Sequence, residues 1–239
     1  ILSFYGRNDD HKETGGNKTY KINFTQLLSK FKLGVTHSTG LKNASLYELY
    51  GNIGQKNIDP EKSETNEIFG QYNLSKNIKF SSTAYRNRMK DRIKINSSWN
   101  AYENKTSDTT QEGLENEFKW SGNDQSISLV SHFAKSRTDL NVPNSRRPDL
   151  SYGLDYSKKL NSPIYGPFNL NLSHRYIGEH IDWTGSKNAF VKSVDLIDMS
   201  IIKNWNDNII SLNFTNLLNE RYEKPGTYSQ DGRMVNFSF

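Results

Sequence analysis

Along most of the chain apolar and polar residues alternate with a period of two, the spacing that sends successive side chains of an extended strand to opposite faces. Phe168, Leu170, Leu172 and Tyr176 alternate with Asn169, Asn171, Ser173 and Arg175. Ile210, Leu212 and Phe214 oppose Ser211, Asn213 and Thr215, and Leu150, Tyr152, Leu154 and Tyr156 oppose Asp149, Ser151, Gly153 and Asp155. Ile127, Leu129 and Phe133 repeat the pattern. It is fainter in Ile22 with Phe24, Phe31 with Leu33 and Val35, Ile78 with Phe80, and Ile197 with Met199 and Ile201. Few stretches carry the stripe of an amphipathic helix, and Asn, Ser, Thr and aromatics fill these segments, so the pattern predicts about twelve strands.

The connections between these strands alternate in length. Short ones, rich in turn formers, fall at Ser29-Lys30, Ser75-Lys76-Asn77, Ser121-Gly122-Asn123-Asp124, Asn161 to Gly166 and Asn206-Asp207-Asn208. Long polar ones are expected at about 6–18, 39–66, 88–106, 138–148, 183–192 and 220–231. In an up-and-down sheet every second connection emerges at the same end, so the long loops share one rim, as in a transmembrane β-barrel. Segments of about ten residues suit tilted strands that cross the hydrocarbon layer.

Composition sharpens this picture. Only 33% of the 239 residues are hydrophobic, and the mean hydropathy is −0.82. Yet 13 Tyr, 12 Phe and 4 Trp are too many aromatics for a disordered chain. A barrel reconciles the two, because only the lipid-facing half of each strand need be apolar. No apolar run approaches the roughly 20 residues of a spanning helix. The absence of Cys excludes disulfides, thiolate metal sites and thiol nucleophiles. The net charge of +5 is spread among interleaved acids and bases, which argues against a nucleic-acid partner. Tyr5, Tyr85, Trp183, Trp205 and Tyr222, near strand ends, are candidates for the aromatic girdles of a barrel.

Two segments resemble a known family. Thr39-Gly40-Leu41-Lys42-Asn43-Ala44-Ser45-Leu46-Tyr47-Glu48-Leu49-Tyr50-Gly51, continued by Gly54-Gln55-Lys56-Asn57-Ile58-Asp59-Pro60-Glu61-Lys62-Ser63, is similar to the loop signature of TonB-dependent outer-membrane receptors. Asn43-Ala44 and Gln55-Lys56 depart from its usual Ala-Pro and Asn-Pro pairs. Asn216-Leu217-Leu218-Asn219-Glu220-Arg221-Tyr222 resembles the family's later signature, and Gly232-Arg233 leads into a last strand ending at Phe239. Tyr85-Arg86-Asn87 and the short final loops are most like the vitamin B12 (cobalamin) receptor subgroup.

The resemblance implies an all-β, antiparallel up-and-down transmembrane β-barrel. Residues 1–239 supply about 12 strands as the C-terminal part of a roughly 22-stranded barrel. The plug domain and the N-terminal strands would precede Ile1, where Ile1-Leu2-Ser3-Phe4-Tyr5 already reads as mid-strand, and Phe239 reads as the end of the barrel. It further implies a Gram-negative outer-membrane location in contact with outer-membrane lipid. Uptake of a scarce bulky nutrient, cobalamin first, would be energised by the TonB complex acting on the plug. Siderophore or haem uptake by the same family, a complete twelve-stranded pore, and a soluble β-rich binding module are the alternative readings.

Candidate chemistry is sparse. His11, His37, His132, His174 and His180 are dispersed without metal-ligand spacing. Glu179, His180 and Asp182 cluster near a rim loop, where a structural or solvated role is the expectation. No nucleophile, phosphate loop or dinucleotide motif occurs, so no catalytic residue, metal or cofactor is expected. Arg175 and Asp155 fit a charge network on the wet face of the wall. Tyr47, Tyr50 and Asn52 in the first signature loop, and Trp99 and Tyr102 in another, are the candidate ligand-binding residues. Two readings stand for their rings: stacking on a flat corrin or chelate, or packing the loops against the rim.

Overall fold

A computed structural model describes residues 1–11, 15–183, 188–224 and 228–239. Its sixteen strands are β1 (Leu2–His11), β2 (Gly15–Leu28), β3 (Phe31–Lys42), β4 (Glu61–Asn73), β5 (Ile78–Lys90), β6 (Ile93–Ile95), β7 (Tyr102–Asn104), β8 (Thr109–Ser121), β9 (Gln125–Thr138), β10 (Leu150–Ser162), β11 (Gly166–Ile177), β12 (His180–Trp183), β13 (Asn188–Val191), β14 (Val194–Trp205), β15 (Asn208–Thr215) and β16 (Met234–Ser238). One short helix, α1 (Leu46–Tyr50), joins β3 to β4. Twelve strands form one sheet in the order β1-β2-β3-β4-β5-β8-β9-β10-β11-β14-β15-β16, and β6-β7 and β12-β13 are separate two-stranded hairpins. Sheet order thus follows chain order, as the up-and-down reading requires. The chain divides into two compact units, one of Ile1–Gly70, Thr83–Gly113 and Lys135–Asn144, the other of Gln71–Ser82, Leu114–Ala134 and Ser145–Phe239.

In the first unit, antiparallel register lines up the apolar positions: Leu2 faces Phe24, which faces Val35, while the alternate positions Ser3, Asn23 and Thr36 share the other side. In the second unit one apolar row runs through Ile127, Tyr156, Leu172, Met199, Phe214 and Val235. On the opposite face Ser157 Oγ donates to Asn171 Oδ1 at 2.7 Å, and Asn171 Nδ2 donates to Ser200 Oγ at 3.0 Å. Arg175 pairs with Asp198 on that same wet face, which realises a wall charge network around one of its two expected members. Asp155 stands beside them there.

The apolar face is not covered by a second sheet among the described residues. Leu2 is 73% exposed, Phe24 47% and Phe133 48%, values that a soluble sandwich would not leave on its packed face. The buried apolar residues are few, and Ala44, Leu49, Ile58 and Ile93 among them gather away from the twelve-stranded sheet, in the connections.

The short turns fall where expected, but the strands reach 14 residues in β2 and β9. The stretch 6–18 is not a long loop, since Gly6 to His11 pair with Tyr20 to Gly15 in an unbroken ladder. Backbone pairing does not need apolar side chains, so β1 and β2 continue after their alternation turns polar. Residues 12–14, 184–187 and 225–227, parts of three expected connections, lie outside the described residues.

Of the girdle candidates, Trp205 shares the face of Met199, whereas Tyr5 and Tyr85 share the polar faces of β1 and β5. Gln111 donates to the Tyr85 hydroxyl at 3.2 Å. The side chain of Trp183 lies outside the described residues. Rings with polar tips do mark the apolar face near its long-loop end: Tyr152 stacks on Tyr176 at 4.9 Å, and His174 Nε2 lies 2.8 Å from Asp195 Oδ1. Tyr20 similarly meets His37 at 3.1 Å.

If the row through Met199 meets lipid tails, Met199→Arg in the intact protein lowers the unfolding free energy in lipid vesicles by about 2–4 kcal/mol. Ser200→Arg, one residue along on the wet face, is expected to cost much less. Urea unfolding of the two variants checks this, and equal losses would mean that both faces share one environment.

Candidate functional site

The first signature loop folds because its sequence caps itself. Ser45 precedes α1, its hydroxyl accepts from the Glu48 amide at 3.2 Å, and Glu48 Oε2 accepts from the Ser45 amide at 2.7 Å. This reciprocal pairing satisfies donors that a helix start otherwise leaves open. The helix then drops Leu49, 2% exposed, among Ala44, Ile58 and Ile93, with Tyr102 packed on their flank. After Gly51 the chain folds back so closely that a Cβ on Gly54 would sit 2.7 Å from the Leu49 carbonyl carbon and the Tyr50 nitrogen. Only glycine fits there.

The hairpin β6-β7 is clasped to this loop by polar groups as well. Asn104 accepts from the Asp59 amide at 2.8 Å and donates to the carbonyls of Asp59 at 2.9 Å and Asp91 at 2.7 Å. The Tyr102 amide donates to the Ile53 carbonyl at 3.0 Å. Glu61 receives the Ile93 amide at 3.0 Å and the Lys42 ammonium at 3.1 Å. Connections 43–60 and 91–108 therefore share one small core.

On that core the candidate residues take distinct places. Tyr47, 62% exposed, meets Tyr102 edge to face, with ring centres 6.2 Å apart and planes at 82°. Tyr50 is exposed and carries the Lys56 ammonium 5.4 Å over its ring, a cation–π contact that sequence spacing did not signal. Asn52 is exposed just beyond α1. Trp99 stands at the tip of the β6-β7 hairpin, 59% exposed, with a left-handed φ of 58°. The structure thus joins Tyr47 to Tyr102. Tyr102 both packs on the loop core and flanks the exposed Tyr47 ring, as the rim-packing reading expects of an anchor.

Arg92, Lys94 and Lys105 gather at the hairpin, where Glu103 lies across from Lys94 and pairs with the Lys105 ammonium at 2.8 Å. The Lys94 ammonium is held below the ordinary lysine range by desolvation, reinforced by repulsion from Arg92 and Lys105 and opposed by Glu61. The Arg92 guanidinium donates to Thr109 Oγ1 at 2.8 Å and to Asn144 Oδ1 at 3.2 Å, which fixes it in place.

The second signature, in the other unit, is also a clasp. Asn216 is buried with φ 52°, its amide donates to Asp198 Oδ1 at 2.8 Å, and its side chain holds the Glu220 amide at 2.9 Å, the Glu220 carbonyl at 2.9 Å and the Asp231 carbonyl at 3.2 Å. Asn219, likewise left-handed, accepts from the Arg233 amide at 2.9 Å. Asparagine suits both positions because it tolerates positive φ and bonds the local backbone. Tyr222 at the end of this signature lines a cavity with Arg146 and His180 rather than a lipid-facing girdle.

The family model for the TonB-dependent receptor-like β-barrel matches residues 1–217. The chain belongs to the TonB-dependent receptor β-barrel family. It is 24% identical over 231 residues to the vitamin B12 transporter BtuB of Vibrio cholerae, across 93% of this chain and 36% of that protein. The chain therefore spans about a third of the length of the curated relatives it matches. Among solved structures, the siderophore receptor PirA from Acinetobacter baumannii matches with a TM-score of 0.81 at 18% identity, covering 96% of this chain and 41% of PirA. The ferripyoverdine receptor of Pseudomonas aeruginosa matches at 0.75 and 15%, covering 93% of this chain and 32% of its own. At these identities the structural likeness establishes the fold. The chain is thus a segment of a Gram-negative outer-membrane β-barrel, and in such barrels the long connections face outward.

The capping box is expected to make the first signature loop acid-sensitive. Burial opposes ionisation of Glu48, but the Ser45 amide and hydroxyl and the Lys42 ammonium outweigh it, so its pKa lies below the ordinary 4.5. A depressed folded pKa stabilises the loop above the unfolded value and is lost as pH falls through the folded one. Amide exchange of residues 45–51 is expected to speed up as pH falls below about 4.5, beyond the intrinsic rate change, and Glu48→Gln should abolish that pH dependence.

Proposed function

We propose that this barrel segment is the C-terminal wall of an active outer-membrane receptor that imports cobalamin. The observation that carries this reading is the 24% identity to a vitamin B12 transporter along 93% of the chain. In the whole protein a plug domain and about ten further strands would precede Ile1, and the TonB complex would act on the plug. The fold likeness to siderophore receptors reports the wall, whose geometry a different cargo would share.

The clasped loops support the reading chemically. Exposed faces of Tyr47, Tyr50 and Trp99 offer flat apolar contact to a macrocycle, Tyr102 braces Tyr47, and the Asn52 amide offers donors and an acceptor to peripheral amides. Import by such a receptor calls for grip without covalent chemistry, which fits a surface of rings and amides.

The full-length receptor, expressed in a Gram-negative host lacking its own corrinoid receptor, is expected to restore uptake of labelled cyanocobalamin only when TonB is present. Tyr47→Ala and Tyr50→Ala should each weaken cobalamin binding by about 2- to 10-fold, the worth of one stacked ring. Uptake of a ferric chelate without any cobalamin uptake would overturn the choice of cargo.

A further inference from the structure

In the second unit a cavity of about 350 Å³ is lined by residues from three external connections. Its apolar lining includes Pro148, Ile177, Val191 and Val194, the last of them buried. Ile177 and Val194 face each other across β11 and β14, on the wet side that also carries Arg175. The polar lining includes Arg146, Lys192, Glu223 and Lys224.

Arg146 is fixed in this wall. Its Nε donates to Asp182 Oδ1 at 2.7 Å, and its amide donates to the Ile181 carbonyl at 2.7 Å. Asp182 has no exposed surface, whereas 59% of the Arg146 side chain remains exposed. A buried carboxylate needs such a partner, and the pairing leaves the guanidinium preorganised rather than free to wander. Lys224, on the far side, follows the Asn216 clasp and is pinned through its amide to the Tyr228 carbonyl at 3.0 Å.

Charge counting narrows the occupant. Arg146, Lys192 and Lys224 stand against Glu223 on the lining and Asp182 buried behind Arg146, leaving one formal positive charge in excess among the described residues, the His180 ring of the lining aside. A polyanion would overshoot that balance, and a neutral solute would leave it unmet. We propose that this cavity binds a small molecule with an apolar body and a single anionic oxygen group, a carboxylate or a phosphodiester. The assignment concerns this cavity alone and stands whichever nutrient the receptor carries.

Benzoate and benzamide, alike in shape and different in charge, test it on the full-length receptor in detergent by saturation-transfer NMR titration. Benzoate is expected to bind, with benzamide at least about tenfold weaker. The Lys192→Glu/Lys224→Glu pair reverses the sign of the cavity's charge and should weaken benzoate by more than about tenfold; Lys192→Gln/Lys224→Gln should fall between. Heat-modifiable migration on gels reports that each barrel is folded, and the Gln pair decides the matter if the Glu pair fails to fold. No benzoate binding, equal binding of the two probes, or benzoate affinity unchanged by these substitutions would overturn the assignment. Cyanocobalamin uptake is measured separately, so failure here leaves the cargo reading intact and failure of that reading leaves this one intact.

Discussion

In hydrocarbon no water is at hand to satisfy a backbone amide or carbonyl, and each one left unpaired costs several kcal/mol. Everything else in this chain follows from meeting that demand with a ladder between neighbouring strands. Once the backbone is committed to the ladder, side chains must alternate between two faces, and the two faces must suit two solvents. The row from Ile127 to Val235 and the Ser157-Asn171-Ser200 chain behind it are the two answers to that requirement, one residue apart along each strand. Low mean hydropathy is then a property of the architecture rather than a sign of weak folding.

The same logic explains what the sequence discloses and what it hides. Strand positions such as Leu170, Leu172, Leu212 and Phe214 are legible because alternation is a local signal, and turn formers such as Ser29 and Asn206, both at positive φ, mark where the chain reverses. Past the apolar belt alternation no longer has an oily member, although the ladder continues, as between residues 6–11 and 15–20. Strand ends and external hairpins were therefore invisible to periodicity. They depend on pairing partners that no window of sequence displays.

The site was legible only in part, for a related reason. Tyr47, Tyr50, Trp99 and Tyr102 could be picked out as ring-bearing loop residues, but which ring braces and which stays open is decided by contacts between segments some 50 residues apart, such as Tyr47 with Tyr102. Lys56 over Tyr50 and Asn104 across Asp59 and Asp91 arise from the fold of the loops and leave no local mark. The signature residues themselves prove to be builders: Ser45 and Glu48 start a helix, Gly54 permits a close crossing, and Asn216 and Asn219 hold the last connection. A motif made of builders identifies the family faithfully and says little about what the family member carries.

The shared core of Ala44, Leu49, Ile58 and Ile93 ties connections 43–60 and 91–108 into a single lever. Neither can swing without dragging the other, because a displaced Leu49 would open a hole under Ile93 and Asn104 would lose its grip on Asp59. A load placed on the rings of the first segment would thereby reach the hairpin that bears Trp99 through packed side chains and the Asn104 clasp.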